Sequence, residues 1–125
     1  MKKIVLLIAA ILLVITSCKP QTEGIKDVTV DDLKVVLNST KTIQLLDVRT
    51  PSEWEKGSIN NAIKINVTSN KFETLVLEKL NKEVPVYVYC RSGGRSKIAS
   101  EILLKNGFEA YNVLGGYLDW QKKNN

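Results

Sequence analysis

Val84-Pro85-Val86-Tyr87-Val88-Tyr89-Cys90-Arg91-Ser92-Gly93-Gly94-Arg95-Ser96 is the stretch from which the fold is read. Its first six residues are almost wholly apolar and rich in β-branched and aromatic side chains. That composition belongs to a short strand buried on both faces. Beyond it, Lys97 to Gly107 carries Ile98, Ala99, Ile102 and Leu103 at helical spacing and ends in Asn106-Gly107, a usual helix stop. A cysteine therefore stands at the end of a buried strand, with a glycine-bearing turn and then a helix after it.

This placement has chemical consequences. Adjacent Gly93 and Gly94 let the backbone curl so that several N–H groups point inward. The helix N-terminus adds partial positive charge at the same spot. Arg91 and Arg95 add two full charges. All of these favour a thiolate at Cys90 and an anionic substrate beside it. A plain core cysteine next to an ordinary turn would not need two arginines around it.

Working outward, the same alternation recurs. Thr29-Val30-Asp31-Asp32 has the form of a capping box, with Val30, Leu33, Val36 and Leu37 as the stripe of a packing helix running to Asn38. Ile43 to Arg49 reads as a second buried strand ending in the charged Asp47 and Arg49. Thr50-Pro51-Ser52-Glu53 opens a short helix, with Pro51 at its first position and Glu53 closing a capping box. Ala62 to Val67 reads as a strand, and Ser69 as the cap of a helix from Asn70 to Leu80. Phe108 to Val113 is the last strand, and Leu114 to Trp120 turns into a closing helix. Lys122 to Asn125 reads as a solvated end. Strands and helices alternate and the strands are nearly all apolar, which predicts an open three-layer α/β domain with a mostly parallel sheet. In such sheets ligands bind beyond the C-terminal strand ends, where Asp47, Arg49 and Cys90 all fall. Asp47 and Arg49 are expected as a structural ion pair supporting the site, and Trp54 and Trp120 as core or lid aromatics.

The amino terminus has a separate logic. Met1-Lys2-Lys3 is basic, and Ile4 to Ile15 is an unbroken apolar run of 12 residues. That is short for a membrane span and right for the central region of a signal peptide. Ile15-Thr16-Ser17-Cys18 resembles a bacterial lipobox. Residues 1–17 are thus expected as a lipoprotein signal, Cys18 as the lipidated residue, 18–26 as a tether and 27–123 as the folded domain. The expected location is exported, on the periplasmic or cell-surface face of a membrane, held there through lipidated Cys18.

Composition narrows the chemistry. The chain of 125 residues has room for one domain. It has 18 basic and 13 acidic residues; without Lys2 and Lys3 the basic count is 16, a net of +3. So mild an excess suits small anions and argues against nucleic acid. With no histidine and two cysteines far apart, zinc-type sites are nearly excluded, and neither a metal nor a cofactor is expected.

Cys90-Arg91-Ser92-Gly93-Gly94-Arg95-Ser96 strongly resembles the active-site loop of single-domain rhodaneses, the sulfurtransferase family. Two further stretches share the likeness: Leu46-Asp47-Val48-Arg49 with Glu53-Trp54 and Gly57, and Val113-Leu114-Gly115-Gly116 with Trp120. The resemblance spans most of residues 28–120. Where the family usually reads Gly-His-Ile-x-Gly-Ala, this chain has Gly57-Ser58-Ile59-Asn60-Asn61-Ala62; asparagine at position 61 can still take a positive φ.

The resemblance implies sulfur transfer. Cys90 would be the nucleophile and sulfur carrier. Arg91 and Arg95 would attract and orient a small anionic donor such as thiosulfate or a persulfide. Ser92, Gly93, Gly94 and Ser96 would line the loop, and a thiophilic acceptor would take the sulfur. Two alternatives stand beside this. One is a persulfide carrier or redox-binding module at the membrane. The other is a cysteine phosphatase or arsenate reductase, whose loops read Cys-x5-Arg, one residue longer than the spacing from Cys90 to Arg95.

Overall fold

The computed structural model describes residues 24–124. The signal, the lipobox and Cys18 lie outside them. Five strands, β1 (Lys26–Val28), β2 (Gln44–Asp47), β3 (Ile63–Lys64), β4 (Val86–Tyr89) and β5 (Ala110–Val113), form one sheet in the order β1-β5-β4-β2-β3. Every pairing is parallel. Between and after them run α1 (Val30–Leu37), α2 (Pro51–Trp54), α3 (Phe72–Lys79), α4 (Gly94–Lys105) and α5 (Gly116–Lys123).

Strand alternation divides the core in two. Val86 and Val88 of β4, and Cys90 just beyond it, face a layer containing Phe72 and Val76 of α3 and Ala99 and Leu103 of α4. Tyr87 and Tyr89 face the opposite layer, with Val30 and Leu33 of α1 and the half-buried Tyr117 and Trp120 of α5. This is the expected three-layer arrangement. After β2 the chain moves outward to β3, then crosses to the other side of β2 to lay down β4. The carboxyl ends of β2 and β4 thus flank the point where the winding reverses, the usual ligand crevice of an open sheet.

Local sequence explains most boundaries. The Thr29 hydroxyl accepts from Asp32 N–H at 3.1 Å and the Asp32 carboxylate from Thr29 N–H at 2.9 Å. At α2, Glu53 accepts from both the N–H and the hydroxyl of Thr50. Asn61 does take a positive φ, +43°.

Three expectations need correction. Helix α3 starts at Phe72, not Asn70, because the Ser69 hydroxyl closes a local turn onto Lys71 N–H and caps nothing. The buried face of α4 is Ser96, Ala99, Ser100 and Leu103, while Ile98 is 55% exposed. Small residues there let the helix lie close to the sheet. The carboxyl-terminal lysines are solvated, but they are helical and not a trailing end: α5 runs to Lys123, whose exposed Nζ meets Asp31 of α1 at 2.7 Å.

Candidate active site

Cys90 follows the last residue of β4 and is 1% exposed. The Gly93 N–H donates to its Sγ at 3.0 Å, and Ser96 Oγ lies 3.4 Å away. Gly93 caps α4 with φ +124°, a conformation that turns its N–H back toward the sulfur and that a side chain would strain. Gly94 is different. It opens α4 in ordinary helical backbone, and a Cβ there would meet only open space. It leaves the approach to the loop clear.

Burial pushes the Cys90 thiol up. The Ser96 hydroxyl and the N–H groups of Ser96, Gly93 and Ser92 pull it down and outweigh burial, so the net shift favours the thiolate. The site can therefore stabilise a negative sulfur without immersing it in water.

The loop is clamped from outside. Tyr117 N–H donates to the Cys90 carbonyl at 2.9 Å, and Leu118 N–H to that of Arg91 at 3.1 Å. These are two of the free N–H groups in the first turn of α5. A Cβ on Gly116 would run into both carbonyls. Gly116 is thus explained by the close approach of α5 to the cysteine loop, and Gly115 by its φ of +76° and the Asp119 side chain folded against it.

Asp47 and Arg49 form the expected pair, buried and bidentate, with Arg49 Nη2 2.7 Å from Asp47 Oδ2. Arg49 also donates to the Gly57 carbonyl at 2.7 Å, and its guanidinium lies 4.2 Å from the centre of the Tyr117 ring. Burial alone would lower Arg49; the bond to Asp47 and its charge reverse that, and the net shift is upward. Tyr89 hydroxyl donates to Asp47 Oδ2 at 2.6 Å and accepts from Ile59 N–H. Burial first, then the Asp47 bond, keeps that phenol protonated. This cluster braces the end of β2 against β4 and the Gly57 turn.

Arg95 does not point its charge freely into the loop. Its two terminal nitrogens bind the two oxygens of Glu53, each at 2.8 Å, tying α4 to α2. The Arg95 bond holds Glu53 far below the usual carboxylate range, despite partial burial. Arg91 and Ser92 are exposed. A cleft of about 200 Å³ opens beside Arg91, with Lys56, Arg49 and Glu53 also on its walls. Among the described residues neither Arg91 nor Lys56 makes an ion pair.

The structure brings Ser92, Gly93 and Ser96 together around the Cys90 sulfur and turns Arg95 aside onto Glu53. It sets Arg91 outward, Gly94 at the open approach, and Asp47 and Arg49 behind the neighbouring strand end. Sequence reading missed Tyr89, Asn112 and the second role of Glu53. The Asp47–Tyr89 contact follows from strand register, in which the two residues are partners. That pairing is not written in local sequence.

This fold and site define an α/β protein with a cysteine in an anion-cradling loop. The sequence pattern of the rhodanese-like domain matches residues 29–123, and the chain belongs to that family. It is 32% identical over 121 residues to the uncharacterized protein YqhL of Bacillus subtilis, covering 96% of this chain and 91% of that one. It is 33% identical over 82 residues to a thiosulfate sulfurtransferase, GlpE, of Coxiella burnetii, covering 65% and 74%. Among solved structures, a rhodanese-like domain protein from Staphylococcus aureus superposes with a TM-score of 0.71 at 38% identity, covering 77% of this chain and 91% of that one. The family relationship supports sulfurtransferase chemistry in general.

Proposed function

We propose that this protein transfers sulfane sulfur from a donor such as thiosulfate to a thiophilic acceptor, through a persulfide on Cys90. The thiolate attacks the outer sulfur of thiosulfate. The sulfur–sulfur bond of the donor breaks, and sulfite leaves with the electron pair. A cyanide ion or thiolate then attacks the outer sulfur of the persulfide, and the Cys90 thiolate is released. This is covalent catalysis with ping-pong kinetics.

The observation that carries the reading is the Gly93 N–H aimed at a buried Sγ from 3.0 Å at the start of a 12-residue helix. The same groups that favour the thiolate would hold a persulfide anion, as an oxyanion hole holds an alkoxide. The phosphatase alternative is less well supported. Arg95, which would have to grip the phosphoryl oxygens, gives its terminal nitrogens to Glu53. In this proposal Arg91 and Lys56 attract the donor, and Arg95 fixes the loop.

Incubation with thiosulfate should add the mass of one sulfur atom to the peptide bearing Cys90, and cyanide should remove it. Cys90→Ser should abolish thiocyanate formation by several orders of magnitude while the protein stays folded. Thiocyanate production by that folded variant would sink the assignment. A persulfide that discharges only when membranes are added would favour the carrier reading.

We further propose that residues 1–17 are a lipoprotein signal and that Cys18 becomes the acylated amino terminus. Its support is the basic start, the apolar run and the lipobox-like junction. Membrane fractionation with mass analysis of the amino-terminal peptide tests it. An unmodified Cys18 on a soluble product overturns it.

A further inference from the structure

Behind the cysteine runs a line of hydrogen bonds that ends outside the loop. Ser96 Oγ is 3.4 Å from Cys90 Sγ and 2.6 Å from Asn112 Oδ1. Asn112 Nδ2 donates to Asp27 Oδ1 at 3.2 Å. Ser96 and Asn112 are buried, while Asp27 lies exposed on the edge strand β1, directly opposite Asn112 in the β1–β5 register.

The proton inventory of this line is restrictive. An ionised Asp27 can only accept, so Asn112 turns its NH2 group toward it. That leaves Asn112 Oδ1, also only an acceptor, facing Ser96. Ser96 has one hydroxyl proton. Asn112 takes it over the shorter path, with the Gly93 carbonyl competing at 3.0 Å. What Ser96 then presents to the sulfur is a lone pair, which suits a thiol S–H and not a thiolate. When Cys90 ionises, the hydroxyl has to turn and donate to sulfur, and the buried Asn112 Oδ1 loses its donor.

We propose that Asn112, its amide oriented by Asp27, is a positioning residue that sets how readily Cys90 ionises by drawing the Ser96 hydroxyl proton away from the sulfur. The proposal rests on the reading of Cys90 as the reactive thiol. The charged groups facing the loop from elsewhere are Arg91, Arg95 with Glu53 of α2, and the Asp47–Arg49 pair at the end of β2. None of them is altered by the variants below.

The test is the rate of iodoacetamide alkylation of Cys90 against pH in the full chain, read on the peptide that carries Cys90 so that Cys18 does not contribute. Asn112→Leu removes the nearer of the two competing acceptors and leaves the Gly93 carbonyl in place. The midpoint should fall by about one pH unit, roughly tenfold more thiolate below it. Asn112→Asp supplies a stronger acceptor in the same place, and the midpoint should rise. Asp27→Ala lets the Asn112 amide turn its NH2 toward Ser96, so the midpoint should fall. That fall should persist at 1 M salt, where the screening length is about 3 Å. A Leu and an Asp variant that move in the same direction, or do not move, overturn the proposal. So does an Asp27→Ala shift that disappears in salt, since a bare charge effect would do that. Should the Leu variant not fold, Asn112→Asp and the exposed Asp27→Ala decide. Alkylation reads the thiol and not sulfur transfer, so the two readings fail separately. A wild-type protein that takes no sulfur sinks the function, and unmoved midpoints in a protein that does take sulfur sink the Asn112 role alone.

Discussion

At the scale of the residue, the site is organised by what each buried polar group must be given. Asp47 is fully buried and accepts from the Arg49 N–H, the Arg49 guanidinium and the Tyr89 hydroxyl. Arg49, 3% exposed, depends on it. Removing one partner of such a pair strands the other charge out of water, which typically costs about 3–5 kcal/mol. Asp47→Asn should therefore lower unfolding free energy by about that much in denaturant titration. A loss under about 1 kcal/mol would mean that water reaches Arg49 in the variant. The pair was legible in sequence as a charged strand end. Its third member, Tyr89, was not, since a tyrosine in an apolar run looks like any other core side chain. Asn112 was hidden for the same reason: nothing in Phe108 to Val113 distinguishes an asparagine facing Ser96 from one in a turn.

At the scale of the element, boundaries set by neighbouring residues were legible and faces set by distant ones were not. Thr29 with Asp32 and Thr50 with Glu53 act over three residues, and both helix starts followed from them. Strand β1 has only three residues, Lys26-Asp27-Val28, and no alternation long enough to read; pairing with β5 makes it a strand. On α4 the expected stripe held at Ala99, Ile102 and Leu103 and failed at Ile98, which is exposed. The helix packs through Ser96 and Ser100 beside Ala99 and Leu103, and the small residues among them permit a close approach to the sheet. The link between α2 and α4 has a consequence in acid. Glu53 carries a folded pKa depressed by Arg95 from its ordinary 4.5. In that range the unfolded chain binds a proton that the folded one does not. The contribution of Glu53 is complete above about pH 4.5 and is lost as pH falls below it toward the folded value. Glu53→Gln should be less stable than the wild type at neutral pH, and the difference should shrink as pH drops from 5 to 3. Parallel stability curves through that window would show that the Arg95 contact does not depress Glu53 in solution.

At the scale of the whole molecule, the sheet gathers the chemistry at one rim, and the charge there differs from the average. The chain carries a net +5 spread over many solvated lysines, too diffuse to steer a ligand on its own. At the rim, however, Asp47 and Glu53 already neutralise Arg49 and Arg95, and Arg91 and Lys56 remain unpaired among the described residues. Their field reaches an approaching dianion over about 10 Å at 0.1 M salt and only about 3 Å at 1 M. Under the thiosulfate reading, kcat/KM for the donor should therefore fall several-fold across that range. Transfer from the persulfide to a monoanionic acceptor such as a small thiolate should change less, because one charge feels the field more weakly than the two of thiosulfate. The double substitution Arg91→Ala with Lys56→Ala should remove most of the salt slope and lower kcat/KM at low salt, leaving the extent of persulfide formation at saturating donor unchanged. Initial-rate measurements at varied ionic strength, with each half-reaction followed separately, decide the matter. A donor step as flat in salt as the acceptor step would show that these two cations do not guide the substrate, and that short-range contacts inside the loop alone select it.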